Sequence, residues 1–251
     1  MLILFIVLSS IWITCGTIFV VRDIQIIDST VPTAKLLTQE EKNDIINNSG
    51  LMGKNILFNL NQDKITQGIK SVNPMLKLQS VTAEFPNRVV LKISRRVPVY
   101  YLDDENNKKY FDAEMCVVDG TPSAECVEIT DANLELARDD FQVGDIVVGK
   151  DARNQCKINQ LKTIATAGLF DSLDGFKISY DDNIEAVGAY RVCLIMEINA
   201  GVTFEIKVRL DENFLDALDY TVQYYEKINK VDGVYKTEYD EQDHQLKTNL
   251  E

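Results

Sequence analysis

The residues closest to a catalytic pattern are Gly144-Asp145-Ile146-Val147-Val148-Gly149-Lys150, which spell G-x-x-x-x-G-K, the spacing of a phosphate-cradling loop. The next residue is Asp151, where such a loop needs Ser or Thr to hold magnesium, and Asp145 and Asp151 would both repel phosphate. Ile146-Val147-Val148 favours an extended chain over a nest of backbone N–H groups, so Gly144 to Gly149 reads as a short strand. Carboxylate pairs stand at Asp103-Asp104, Asp139-Asp140 and Asp181-Asp182, each in a polar, turn-like stretch, whereas glycoside hydrolysis needs two buried and positioned acids. The single histidine, His244, lies in a polar stretch, and Cys15, Cys116, Cys126, Cys156 and Cys193 form no C-x-x-C pair. A zinc cluster and a histidine-dependent nucleophile both lack their ingredients. Free thiols are the expectation, with a Cys116 to Cys126 bridge as the alternative in an oxidising compartment. No enzymatic activity, cofactor, metal or small-molecule substrate is expected.

Binding chemistry is better represented. Tyr220, Tyr224, Tyr225, Tyr235 and Tyr239 fall within twenty residues, and tyrosine suits interfaces because it offers a large apolar area with a polar tip. On a strand over Gly233 to Tyr239, Tyr235, Thr237 and Tyr239 share one face while Val234, Lys236 and Glu238 share the other. Read as the last strand of its sheet, this segment leaves a row of backbone groups unpaired, which makes Tyr235, Lys236, Thr237 and Tyr239 candidates for binding a partner. Ordinary core packing is the competing explanation. Arg95 and Arg96, just before Pro98, form a second candidate contact if they are surface residues; otherwise they merely join two domains.

The elements that would carry these residues begin with Leu2 to Val21, a run without Asp, Glu, Lys or Arg. Twenty helical residues reach roughly 30 Å, the thickness of a hydrocarbon core, and exceed the apolar region of a signal peptide. No small-x-small cleavage site follows, so an uncleaved anchor over 1–21 is expected, with a cleaved signal as the alternative. The net charge of −13 divides unevenly: residues 22–98 carry eleven Lys or Arg against seven Asp or Glu, a net of +4, and residues 99–251 carry −17. A basic module beside a membrane suits anionic head groups, and the acidic remainder argues against nucleic acid as a partner.

Residues 22–98 read as one compact module. Asp23 to Ile26 alternates as a strand, and Thr38 with Glu41 makes a capping box for a helix over 39–48 that Gly50 ends. Asn61 or Asp63 caps a second helix with Ile65, Ile69 and Val72 on one face, ended at Asn73-Pro74. Strands Leu76 to Phe85 and Val89 to Ser94 follow around Pro86-Asn87, giving the order βααββ. Farther on, a hairpin is expected from Lys108–Asp112 and Met115–Val118, and a helix from Asp151 to Ala167. Strands are expected at Phe176–Tyr180, Ile184–Val187, Val192–Ile198 and Val202–Val208, and Asp211 can cap a helix that carries Phe214, Leu215, Leu218, Val222 and Tyr225 on one face. From Asp240 onward the chain reads as a disordered polar tail.

These segments resemble the FtsQ/DivIB cell-division proteins, whose anchor runs directly into a POTRA domain of that element order. VRDIQIID resembles the family's opening strand, with Asp28 where glycine is usual. Gly53, Asn55, Ile56 and Phe58 hold the places of its G-x-N-I-F segment. Pro74, Val81, Pro86, Val90, Ile93, Arg96, Pro98 and Val99 match the stretch that closes its POTRA domain, where Arg95 replaces the usual Glu. The likeness is closest over 1–99; residues 110–119 and 202–240 are similar to parts of the family's β domain. Family members usually carry a cytoplasmic tail, so either this member is short or its natural start lies upstream of Met1.

The resemblance implies an α+β fold: an N-terminal transmembrane helix at 1–21, a POTRA domain (βααββ) at 22–99, a mixed α/β domain on an extended, mainly antiparallel sheet at 100–240, and a polar tail at 241–251. It further implies a non-catalytic, single-pass scaffold of the bacterial divisome at the septal membrane, with its large C-terminal domain outside the cytoplasm. Its partners would be small bitopic division proteins of the DivIC/FtsB and FtsL type. A POTRA-bearing translocation or chaperone subunit, and a surface enzyme or sensor with a β domain, are the alternatives.

Overall fold

The computed structural model describes residues 17–251 apart from 33, 58–59, 105–106, 120–125, 131–133, 169–175, 182–190, 200, 210–213 and 241–244. The chain divides into two units, Met1–Val97 and Pro98–Glu251. Residues 1–16 of the expected anchor fall outside the described residues, among which no helix is long and apolar enough to cross a membrane.

The first unit follows the expected order: β1 (Asp23–Asp28), α1 (Gln39–Asn48), α2 (Gln62–Val72), β2 (Leu76–Glu84) and β3 (Arg88–Arg95). Thr38 Oγ1 accepts the Glu41 N–H at 3.1 Å while Glu41 Oε2 accepts the Thr38 N–H at 2.9 Å, so the capping box satisfies donors that a helix start leaves orphaned. Asn61, rather than Asp63, caps α2. The central strand is β3, parallel to β1 and antiparallel to β2. Both helices bury their apolar stripes against it, Ile45, Ile65 and Ile69 meeting Ile24, Val89, Leu91 and Ile93. One boundary moves: Val21 is buried in this core and Phe19 packs against it, so the end of the apolar run belongs to the folded unit.

The second unit is built on a sheet of nine described strands in the order β12-β11-β10-β9-β8-β7-β4-β5-β6. These are β4 (Tyr100–Asp104), β5 (Asn107–Phe111), β6 (Val117–Val118), β7 (Val127–Ile129), β8 (Lys177–Asp181), β9 (Arg191–Asn199), β10 (Val202–Arg209), β11 (Gly233–Asp240) and β12 (Gln245–Leu250). Antiparallel pairs predominate, but β4–β7, β7–β8 and β10–β11 are parallel. Two helices, α3 (Ala152–Thr166) and α4 (Phe214–Lys227), contribute Ile158, Leu161, Ile164, Phe214, Ala217 and Leu218 to the core. Tyr100 and Tyr180 tie the sheet to α3, their hydroxyls donating to the Leu161 and Lys157 carbonyls at 2.7 and 3.0 Å. Pro98 and Val99 group with this unit, Val99 N–H donating to the Phe111 carbonyl at 2.8 Å.

Three expectations change. Gly144 to Gly149 is no strand: Ile146 and Gly149 make isolated bridges to Cys116 and Leu136, and the backbone wraps around β6. The polar tail is structured over Gln245–Leu250, because β11 supplies a ladder and the two leucines and Thr248 supply side chains to pack. The Gly233 to Tyr239 strand is therefore interior to the sheet, with β12 outside it. The strand expected over Ile184–Val187 and the cap expected at Asp211 lie outside the described residues.

Candidate interaction surface

Residues Gly144 to Asp151 show why their motif does no phosphate chemistry. The Gly149 N–H donates to Gln155 Oε1 at 3.0 Å, and a Cβ at Gly149 would come within 2.3 Å of the Gln155 nitrogen, so the glycine serves close packing against α3. Asp151 caps α3, its Oδ1 accepting the Asn154 N–H at 2.7 Å, and occupies the helix start that a phosphate would need. Lys150 instead pairs with Glu135 at 2.7 Å on the surface. Cys116, Cys126, Cys156 and Cys193 form no disulfide with one another. Burial pushes the Cys193 thiol up to about 11 and raises that of Cys156, so neither is a ready nucleophile at neutral pH.

The predicted partner-binding residues separate into different roles. Tyr235 is fully buried beneath α4, its ring 5.4 Å from Phe204, 5.2 Å from Tyr225 and 6.3 Å from Tyr224, each edge-on. Its hydroxyl donates to the Val231 carbonyl, and burial raises its pKa. Tyr235 is thus a core residue, not an exposed anchor, because the face it shares with Thr237 is the one α4 covers. Thr237 is buried as well, at the middle of a hydroxyl chain: Thr221 Oγ1 donates to the Ala217 carbonyl at 2.7 Å, lies 2.7 Å from Thr237 Oγ1, and Thr237 Oγ1 lies 2.6 Å from Thr248 Oγ1. This chain stitches α4, β11 and β12 together. Lys236, on the opposite face, contacts Glu251 at 2.5 Å and Glu205 at 3.9 Å. Tyr239 stands in register with Leu246, and its side chain lies outside the described residues.

Arg95 is likewise no free surface residue. Its guanidinium reaches both oxygens of Glu41 at 2.8 and 2.9 Å and its Nε donates to the Lys35 carbonyl at 2.9 Å, closing β3 onto the start of α1. Burial alone would raise the Glu41 pKa; the Thr38 N–H, Arg95 and the Asn73 amide outweigh it and lower the value to about 2. Arg96 extends the closure through its N–H, which donates to the Met75 carbonyl at 2.7 Å.

Among the described residues, the strand at this end of the sheet is β12. The Val234 and Glu251 backbones exchange both hydrogen bonds, at 3.0 and 2.9 Å. By the alternation of antiparallel ladders, the inward-bonded residues of β12 are then Asn249, Lys247 and Gln245, and the N–H and C=O groups of Leu246, Thr248 and Leu250 point away from the sheet. Gly233 permits this docking: its φ is +151°, and a Cβ there would meet Leu250 Cδ1 at 2.5 Å. The outermost described strand on this side of the sheet is thus β12 and not β11. Thr221 and Thr248 were missed as tying residues, and Glu41 was read only as a capping residue; the available signal for Thr221 was its helical spacing from Phe214, Leu218 and Tyr225 on the apolar face of α4.

The βααββ unit with its central β3 matches, over residues 35–96, the family model described as the POTRA domain of FtsQ type. The first unit is thus similar to an FtsQ-type POTRA domain, on the segments that carry its capping box and its closing strands. Across a longer stretch the chain is similar to the cell division protein DivIB of Clostridium tetani (strain Massachusetts / E88), 27% identical over 135 residues. That stretch covers 53% of this chain and 48% of the relative, so the chain spans about half the length of the curated protein it matches. The resemblance to FtsQ/DivIB is shown on both grounds.

Proposed function

We propose that this protein is a non-catalytic, single-pass scaffold of bacterial cell division, with its POTRA and β domains outside the cytoplasm at the septal membrane. The observation that carries the reading is a match to an FtsQ-type POTRA domain followed directly by a large sheet whose outermost described strand, β12, turns the backbone groups of Leu246, Thr248 and Leu250 away from β11. The partner chemistry is an extended segment of a small bitopic division protein of the DivIC/FtsB type, added as a further strand beside β12, with an FtsL-like protein in the same assembly. The leucines of β12 supply apolar contacts, and the exposed side chains of Gln245, Lys247 and Asn249 supply polar ones.

A photo-activated cross-linking residue at Lys247 or Asn249, in the full chain and in dividing cells, tests the reading. Adducts with small bitopic division proteins are expected. Adducts confined to secreted or translocating polypeptides would instead favour a translocation or chaperone subunit, and turnover of a surface substrate would favour an enzyme.

A further inference from the structure

The last residues of the uncharged N-terminal run are tied into the first unit. The Phe19 carbonyl accepts the Ile56 N–H at 2.8 Å, Val21 N–H donates to the Lys54 carbonyl at 2.9 Å, and Val20 bridges Asn55 in antiparallel sense. One residue farther along this pairing stand Ile18 and Leu57, 46% and 42% exposed. The ring of Phe19 meets that of Phe85 edge-on at 5.7 Å, and Phe85, on the turn between β2 and β3, is 62% exposed. Asn87 in the same turn accepts the Arg22 N–H at 2.9 Å. Single exposed apolar side chains are ordinary, but here three from separate segments converge where the uncharged run enters the fold.

Once Phe19 to Val21 are withdrawn into the unit, Leu2 to Ile18 leaves seventeen uncharged residues. As a helix these reach about 26 Å, at the short end of what spans a bilayer. No slack linker then separates span from fold, and the end of the unit bearing Ile18, Leu57 and Phe85 is drawn against the head groups. The first cations of the chain, Arg22, and of the paired segment, Lys54, are exposed beside it, as contact with an anionic lipid surface requires.

We propose that Ile18, Leu57 and Phe85 form a membrane-seated patch that embeds the base of the first unit in the interfacial layer of the lipid in which its own anchor lies. This rests on the single-pass reading above and adds which surface meets lipid. It fixes the unit's height and tilt at the membrane and leaves the second unit to recruit partners.

The test uses the full chain reconstituted in phosphatidylcholine–phosphatidylglycerol vesicles carrying brominated acyl chains, with indole emission as the readout. Trp12 is the only tryptophan, so the natural protein reports the anchor directly. In a Trp12→Phe background, Phe85→Trp and Leu57→Trp report the patch. Leu36→Trp is the reference: Leu36 is 62% exposed beyond the far end of β1, which advances roughly 16 Å from Asp23 to Asp28. Quenching of Trp12, and of the indoles at 85 and 57 well above that at 36, is the expected result, with blue-shifted emission at 85. Quenched Trp12 with 85 and 57 no brighter or dimmer than 36 overturns the patch while sparing the anchor. Unquenched Trp12 overturns the anchor, and the patch with it.

Discussion

The two units close their terminal elements by opposite means. In the first, β3 is fastened to α1 by charge: Arg95 grips both oxygens of Glu41, which also completes a helix cap and is held ionised down to about pH 2. In the second, β11 and β12 are fastened under α4 by neutral groups, the aromatic cluster around Tyr235 and the Thr221–Thr237–Thr248 hydroxyl chain. The first lock joins residues 54 apart in sequence and responds to acid. The second joins residues 16 and 11 apart and gains its strength from exclusion of water, so it is indifferent to pH across the carboxylate range.

That contrast is broken or sharpened most strongly at Tyr235. Tyr235→Ala removes a fully buried ring and is expected to cost about 4 kcal/mol in the second unit, measured by chemical denaturation, while Tyr235→Phe, which loses only the hydroxyl, costs about 1 kcal/mol. Equal small effects would mean that the cluster is not a core. Arg95→Ala ranks next, at about 2 kcal/mol in the first unit. Because the Glu41 pKa is depressed in the fold, this contribution is present above its ordinary value near 4.5 and is lost as pH falls toward about 2. The gap between natural protein and Arg95→Ala should therefore narrow in acid, and a gap that persists at pH 2 would contradict the charge-based lock.

Thr237→Val keeps the shape and strands the Thr248 hydroxyl, so a loss of about 1 kcal/mol that does not vary between pH 3 and 7 is expected. A pH-dependent loss would assign the second lock to charge after all. Lys236→Ala should leave the denaturation midpoint of the second unit essentially unchanged, since its partner Glu251 is an exposed residue.

Legibility followed the same division. The first unit was readable nearly residue by residue, because Thr38, Glu41, Asn61, Pro74 and Pro86 act on neighbours within a few positions and fix helix and strand ends locally. The second unit was readable in its helices and in the β9–β10 hairpin, where periodicity and a short turn suffice. Strands β4 and β7 escaped notice: they are short, and β7 pairs in parallel with β4 and β8, partners that no local signal announces. Gln245 to Leu250 failed for a related reason, since a polar segment reads as a tail until β11 and the buried threonines give it something to pair with. The candidate site suffered most. Period-2 alternation grouped Tyr235 with Thr237 correctly, but which face α4 covers is set by packing and not by alternation.

The central claim is that partners are recruited by backbone pairing along β12, and proline replacement at Leu246 addresses it directly. The Leu246 N–H points away from β11, so Leu246→Pro deletes a donor to the partner while sparing the ladder that holds β12, as proline is tolerated only on the open side of an edge strand. Binding of the full chain, in vesicles, to a DivIC/FtsB-like division protein is measured alongside thermal melting. The account predicts at least a tenfold loss of affinity, about 1.4 kcal/mol, with the melting transition of the second unit retained. Undiminished affinity with the same retained melting would contradict it.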